Sequence, residues 1–359
     1  MREWFADLVE ISCSGMDLDA LLLDAARPEE IAGMLIAALR LDLPTVCITP
    51  SDVPFSAALA ALGLAPISGD PAKVAVGASE VPHPHELVDN FSLANALRAG
   101  IAAGGGPELL VHLAALSREA GVAGFSQMIR VLAPETPGAD PEWLRKHGVA
   151  GLLSSLEDTL HDVRTVAGDL KENLPPLPPP SRERSRLVFI RARTSGAEAV
   201  CRVREGVSEA SGECRVFDSE KEAARAVRAG AVEAGTMLVV GGCGPVGGPG
   251  LLRLDALGRS LREAGLEVPV VTDGLAPEGA PGLWISLLTP EAAAGGVLSL
   301  LQDGDALRID LSEGRIRTGV GAREFGRRKP REFPDLAGTG YTARYARAAL
   351  PALEGAGFG

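Results

Sequence analysis

The 359-residue chain is 46% hydrophobic and 23% charged, a balance that supports two folded domains of ordinary size and excludes a disordered chain. With 47 acidic against 35 basic residues its formal charge is -12, which repels phosphate backbones and anionic membranes and argues against nucleic-acid or membrane binding. Residues 1–7 show no signal-peptide pattern, no uncharged apolar run is long enough to span a bilayer, and the five scattered cysteines form no C-x-x-C pair; a cytoplasmic location with reduced thiols is expected.

In chain order, residues 20–24 (Ala-Leu-Leu-Leu-Asp) read as a short buried strand. Pro28 suits the first turn of a helix, Glu29 and Glu30 sit favourably at its positive end, and Ile31, Met34, Leu35, Ala38 and Leu39 recur at helical spacing. Residues 44–49 follow as a strand, and strand–helix–strand over so short a stretch predicts a right-handed parallel unit in a layered α/β domain. Helices are predicted over 86–103, 107–120 and 148–160. Five prolines between Pro175 and Pro180 then predict an extended spacer. The expected organisation is a first domain at 1–174, a linker at 175–186 and a second domain at 187–359.

Beyond the spacer, strands dominate: 187–192, 199–203, 214–217, 237–240, 268–272 and 283–288, with two helices at 219–229 and 251–264. Residues 306–316 alternate apolar and polar side chains around Ser312-Glu-Gly314, as a half-buried hairpin should. The expected fold class is α/β, a layered parallel-sheet N-terminal domain followed by a β-barrel-like C-terminal domain.

Several groups are candidates for chemistry. Gly244-Pro-Val-Gly-Gly-Pro-Gly250 follows a predicted strand and opens a predicted helix, so Gly247, Gly248 and Gly250 could present amides to an anion, or merely form a turn that the barrel requires. Cys243 is a thiol near that helix start, weighed against a buried, idle cysteine. His83-Pro-His85 offers two imidazoles without further partners and reads as a loop. His112 lies among Val111, Leu113 and Leu116 and reads as a core histidine, and the Arg-rich run 323–331 reads as a solvated loop.

Five segments in register carry a more specific signal: Gly244–Gly250 as quoted, Val271-Thr-Asp-Gly274, Leu288-Thr-Pro-Glu-Ala-Ala-Ala-Gly-Gly296, Gln302-Asp-Gly-Asp-Ala-Leu-Arg-Ile-Asp310 and Gly340-Tyr-Thr-Ala-Arg-Tyr-Ala346. Together they resemble the C-terminal domain of the dihydroxy-acid dehydratase / phosphogluconate dehydratase family. Leu18-Asp-Ala-Leu-Leu-Leu-Asp24 and Ala32-Gly-Met-Leu-Ile-Ala-Ala-Leu-Arg-Leu-Asp-Leu-Pro44 resemble its N-terminal domain more faintly, as does 94–120. The resemblance covers most of the chain and leaves the opening segment of a typical member without a counterpart.

Expelling water from a dihydroxy acid requires a Lewis acid at the β-hydroxyl, a base at the α-proton and a cation holding the carboxylate. The resemblance implies an iron–sulfur cluster on three cysteines, a magnesium ion on carboxylates and a modified lysine, and a serine base. At the matching positions this chain has Arg27 for a cluster cysteine, Pro28 for a metal-binding aspartate, Glu29 for the lysine, Cys243 for a metal-binding glutamate and Pro277 for the serine. The family's G-G-S-T-N is Gly104-Gly-Gly-Pro-Glu108, and 65–85, where another cluster cysteine is expected, contains none. No cofactor and no metal site are therefore expected, and no catalytic residue is assigned. Arg27, Glu29, Glu30, Cys243, Asp273 and Glu278 are candidates for a relic pocket, the first three as an ion pair in place of the metal group.

Two functions follow from this reading. One is a degenerate dehydratase acting as a scaffold, regulatory or partner subunit, as a homodimer or alongside a full-length dehydratase paralogue. The other is a hydro-lyase or related enzyme that handles hydroxy or sugar acids with a repurposed site built on residues such as Asp273, Glu278 or Cys243.

Overall fold

The structure, a computed structural model, describes residues 1–48, 52–67, 80–179, 181, 183, 185–192, 196–204, 206–248, 250–333 and 339–359. It divides into two compact units, Met1–Arg186 and Leu187–Gly359. Most of the segment expected to hold a further cluster cysteine, 68–79, lies outside the described residues, as do Pro180 and Pro249.

The first unit opens with helix α1 (Arg2–Cys13), which the sequence reading had not predicted. Strand β1 (Leu21–Leu23), helix α2 (Pro28–Leu41) and strand β2 (Thr45–Cys47) follow, and β1 pairs parallel with β2, Leu21 opposite Thr45. This is the expected parallel unit, but the expected layered sheet does not extend past these two strands among the described residues; the other sheet of the unit is a two-stranded hairpin, β3 (Arg164–Thr165) with β4 (Gly168–Asp169). The reason lies in the side chains after Cys47. They are alanines and leucines, strong helix formers, rather than β-branched runs.

Helices α3 (Val53–Leu62), α4 (Pro84–Leu87), α5 (Asn90–Ala102), α6 (Pro107–Glu119), α7 (Phe125–Glu135) and α8 (Pro141–Ser155) make up most of the rest. The helix predicted over 86–103 is two helices. Asp89 interrupts it as an N-cap, its Oδ1 accepting the Phe91 and Ser92 amides at 2.9 and 2.7 Å while Ser92 Oγ accepts the Asp89 amide. Small side chains bring helices close: Ala57, Ala60, Ala61, Ala99 and Ala102 are buried together with Leu152 and Leu153. At Gly33 the contact of α2 with α1 is tightest, since a Cβ there would stand 2.5 Å from the Arg2 carbonyl oxygen.

His83 and His85 sit at the C-terminal end of α2, with Nδ1 of His83 2.6 Å from the Asp42 carbonyl and Nε2 of His85 2.9 Å from that of Leu39. They answer carbonyls that a helix end leaves without partners. The proline-rich stretch also packs on its own unit rather than hanging free: Pro175 accepts from Ser154 Oγ at 2.8 Å and Pro179 from the Trp143 indole at 2.7 Å.

The second unit is a closed eight-stranded barrel in the order β10-β6-β5-β12-β11-β7-β8-β9. Its strands are β5 (Ser185–Arg191), β6 (Glu198–Arg204), β7 (Glu209–Phe217), β8 (Thr236–Val240), β9 (Val270–Thr272), β10 (Trp284–Thr289), β11 (Ala306–Asp310) and β12 (Arg315–Thr318). Strands β7, β8, β9 and β10 run parallel in succession, while β11 and β12 form the predicted antiparallel hairpin. Helices α9 (Glu220–Arg228) and α10 (Asp255–Ala264) cover the outside of β8 and β9. Those strands are therefore buried on both faces and uniformly apolar, as covered parallel strands must be. Two short helices, α11 (Ala322–Phe325) and α12 (Tyr341–Ala348), follow the hairpin. Among the described residues no helix is long and apolar enough to cross a membrane.

The Arg-rich run is not simply solvated. The Arg328 guanidinium is only 10% exposed and holds Asp305 through both nitrogens, one at 2.9 Å, while Arg331 reaches Asp218 at 2.7 Å and the Leu298 carbonyl at 2.9 Å. Alternation of Arg with Gly and Glu gave no hint of this because the partners lie over a hundred residues away in one case. Burial alone would raise the Asp305 carboxyl, but the Arg328 hydrogen bonds outweigh it and hold the group below the usual carboxylate range.

Two outcomes are expected. Asn95 is fully buried and exchanges 2.8 Å hydrogen bonds with both the amide and the carbonyl of His161. Asn95→Ala removes both hydrogen bonds at a fully buried position and should cost about 2–4 kcal/mol in urea unfolding, and Asn95→Asp, which keeps only the acceptor, should recover part of it. Arg328→Met strands a buried carboxylate and should cost about 3 kcal/mol or more at neutral pH. Because the folded Asp305 pKa is depressed, the stability from this pair is complete above the unfolded value of about 3.9 and is lost as pH falls through the folded value, so the variant and the parent should converge in acid.

Candidate functional site

The ends of the parallel strands β8, β9 and β10 carry the loops 241–250, 273–277 and 290–296, and one side chain joins all three. Asp273 is fully buried. Its Oδ1 accepts the Cys243 amide at 2.9 Å, and its Oδ2 accepts the Gly242 amide at 3.1 Å and the Ala292 amide at 2.9 Å. Burial pushes this carboxyl above the usual range, and the N–H donors offset only part of that rise. Both oxygens face donors, which is the geometry of an ionised carboxylate.

A second carboxylate lies beside it. Glu291 is 2% exposed, accepts the Ala352 amide at 3.2 Å, and is raised by burial with the charge of Asp273 adding to the effect. Gly244 lies between the two: a Cβ there would stand 2.5 Å from Glu291 Cγ and 3.3 Å from Asp273 Cβ. Glycine at 244 is what lets both acids close on the loop. Sequence reasoning missed Glu291, although it is the one carboxylate in the quoted Thr-Pro-Glu-Ala segment.

The structure brings Cys243 and Asp273 together but leaves Glu278 out. Glu278 is on an exposed turn next to Gly279, whose carbonyl accepts from Arg262 of α10. Cys243 faces the layer between barrel and helices, only 1% exposed, and burial, reinforced by the charge of Asp273, pushes its thiol up to about 12. It is therefore a neutral thiol at ordinary pH. Pro277 is buried against α10, where a Cβ on Gly258 would come within 2.4 Å of the proline ring.

Of the three glycine amides, that of Gly247 has an internal partner. Gly247 donates to the Ala346 carbonyl of α12 at 3.1 Å, Gly248 packs on the Gly244 carbonyl, and Gly250 adopts a left-handed conformation beside the Tyr345 ring. Helix α10 begins at Asp255 rather than at 251, and its first free amides, Ala256 and Leu257, donate to Glu220 at 2.6 and 3.0 Å. A carboxylate of the chain itself thus answers the helix N-terminus that the sequence offered to an anion.

In the first unit, Arg27 is the N-cap of α2 and pairs with Glu29 at 3.3 Å and with Glu30 through Nε at 2.9 Å. The hydrogen bonds from Arg27 hold the Glu30 carboxyl below its usual range. The Arg27 side chain is 48% exposed, so the pair is a surface interaction of small energetic weight. His112 is buried with its ring edge-on to Phe55 at 5.7 Å, as expected of a core histidine.

Among the described residues, no set of side chains is placed to hold an iron–sulfur cluster or a magnesium ion. Cys13 and Cys47 belong to the first unit, Cys201, Cys214 and Cys243 to the second, and all but Cys13 are buried. Burial raises the thiols of Cys47, Cys201 and Cys214, the last two to about 12. Among the described residues no group of three or more His, Cys, Asp or Glu side chains is placed to hold a metal ion. Asp273→Asn, which removes the charge and turns an N–H donor toward other donors, should cost about 3 kcal/mol or more in unfolding, whereas a carboxylate idling in an open pocket would be replaceable at no cost.

The family described as Dihydroxy-acid/6-phosphogluconate dehydratase C-terminal matches residues 176–356. The dihydroxy-acid dehydratase of Trichlorobacter lovleyi is 32% identical over 303 residues, 76% of this chain and 55% of that protein. That of Citrifermentans bemidjiense is 32% identical over 304 residues, with the same shares, and that of Geobacter metallireducens 30% identical over 304 residues. The chain thus spans about 55% of the length of these relatives. By sequence across the barrel and well into the helical unit, the chain belongs to the dihydroxy-acid/6-phosphogluconate dehydratase family.

Proposed function

We propose that this chain is a degenerate dehydratase that does not carry out iron–sulfur-dependent dehydration and acts as a scaffold, regulatory or partner subunit. The observation that carries the reading is the fate of the positions matched to the family's reactive groups. Arg27 and Glu29 pair with each other at the start of α2, Cys243 is a buried neutral thiol, and Pro277 is a buried ring packed on a helix. Arg27 and Pro277 carry no metal-ligating group or proton acceptor, the Glu29 carboxylate is engaged by Arg27, and Cys243 is a single buried thiol. Asp273 and Glu291 persist, but as parts of the scaffold that shapes the strand-end loops.

A repurposed hydro-lyase is the competing reading, and it draws no support from Asp273, Cys243 or Glu278. The first has its oxygens committed to three amides, the second is uncharged, and the third is exposed on a turn. Homodimer formation, pairing with a full-length paralogue and a cytoplasmic location belong to the same proposal. Protein purified without oxygen should contain iron and acid-labile sulfide far below one cluster per chain and should leave dihydroxy acids and sugar acids unconverted. A brown, cluster-loaded preparation that dehydrates either substrate overturns the proposal.

A further inference from the structure

We infer that Glu291 is a proton-operated latch on the C-terminal turn 351–356, closed while its carboxyl is protonated and loosened when it ionises. The device is independent of whether the chain dehydrates a substrate. Asp273, fully buried, and Glu291, 2% exposed, close on the same position at Gly244. Two like charges in so dry a place cannot both ionise cheaply, and the better supplied of the two keeps its charge. Donors decide which that is. Asp273 takes the amides of Gly242, Cys243 and Ala292 at distances between 2.9 and 3.1 Å. Glu291 accepts the Ala352 amide at 3.2 Å, with its own backbone N–H as a further donor. The proton therefore belongs to Glu291.

The surroundings reinforce this assignment. Burial opposes ionisation of Glu291 most, and the carboxylates of Asp273, on the loop after β9, and of Glu354, exposed on the turn itself, add to it. Cys243, whose amide Asp273 holds, is a neutral thiol and offsets neither charge. A carboxyl whose folded pKa is raised contributes stability that is complete below the unfolded value of about 4.3 and is lost as pH rises through the folded value. Acid therefore tightens this region, and alkali loosens it.

The turn is the wall that gives way. A buried carboxyl that ionises must find water, and the loops after β8 and β9 are pinned together by Asp273. The turn is held differently. Ala352 and Ala356 are buried, but Tyr345 donates its hydroxyl to the Ala356 carbonyl at 2.5 Å and Leu350 its amide to the Gly357 carbonyl at 2.9 Å, bonds that lie within the C-terminal segment. Glu291 is what ties Ala352 to the loop after β10. Lifting the turn thus hydrates Glu291 while the three amides of Asp273 stay in place.

Hydrogen–deuterium exchange of the whole chain tests the latch, with rates corrected for the intrinsic pH dependence of amide exchange. Between about pH 5 and about pH 8, protection of residues 350–357 should fall by about tenfold or more, one pKa unit of linkage being a factor of ten. The amides of Gly242, Cys243 and Ala292 should keep their protection over the same range. Glu291→Gln, a neutral side chain of the same shape, should hold the turn tight throughout. Glu354→Gln, at an exposed position, removes one opposing charge and should move the midpoint of the transition to lower pH. Protection of the turn that does not change with pH overturns the inference, and so does its loss together with the three amides of Asp273. A pH response that survives Glu291→Gln overturns it too, as does, where that variant fails to fold, a midpoint unmoved by Glu354→Gln.

Discussion

A single buried carboxylate sets the arrangement of three loops that lie far apart in sequence. Asp273 collects amides from Gly242, Cys243 and Ala292, so that the ends of β8, β9 and β10 are fixed relative to one another. A charge so placed is costly unless its lone pairs are answered, and the backbone answers them. The constraint then spreads outward. Gly244 must lack a side chain to admit Glu291, and Glu291 in turn ties the C-terminal segment at Ala352 to the same region.

This network is held by groups that serve folding rather than any reaction. The glycines, Asp273 and Glu291 are needed for folding whatever the chemistry, because each removes a clash or satisfies a buried donor. The groups matched to chemistry have no such hold. Cys243 and Pro277 fill space in the layer between the barrel and α10, where a thiol or a proline ring packs without needing a polar partner. Function resides in the site rather than in the fold, so the fold alone assigns no reaction.

The two units are built on different principles. The first depends on small residues that let helices approach closely, with alanine-lined contacts and reciprocal hydrogen bonds such as Asn95 with His161. The second depends on closure of eight strands around an aliphatic interior, which leaves no sheet edge unpaired. The loop after β10 is bridged by arginines whose heads bond carbonyls and carboxylates, which adds charge-assisted bonds to its apolar packing.

The sequence by itself determined the elements whose signal is local. Alternation around Ser312-Glu-Gly314 marked the hairpin, uniform apolar runs marked β8 and β9, and Pro28 with its two glutamates marked the start of α2. It also determined the family, because five motifs stand in register along the second unit. It did not extend to α1, α3 or α7, since an apolar run rich in alanine and leucine suits several structures alike until its neighbours are known. Only tertiary structure decided that Asp273 is a clamp, that Glu291 stands beside it, that Glu278 lies elsewhere, and that Arg328 is buried on Asp305. The physical reason is common to all four. What a carboxylate or guanidinium does depends on which distant donors or acceptors face it and on how much water is left, and neither is written in the residues beside it.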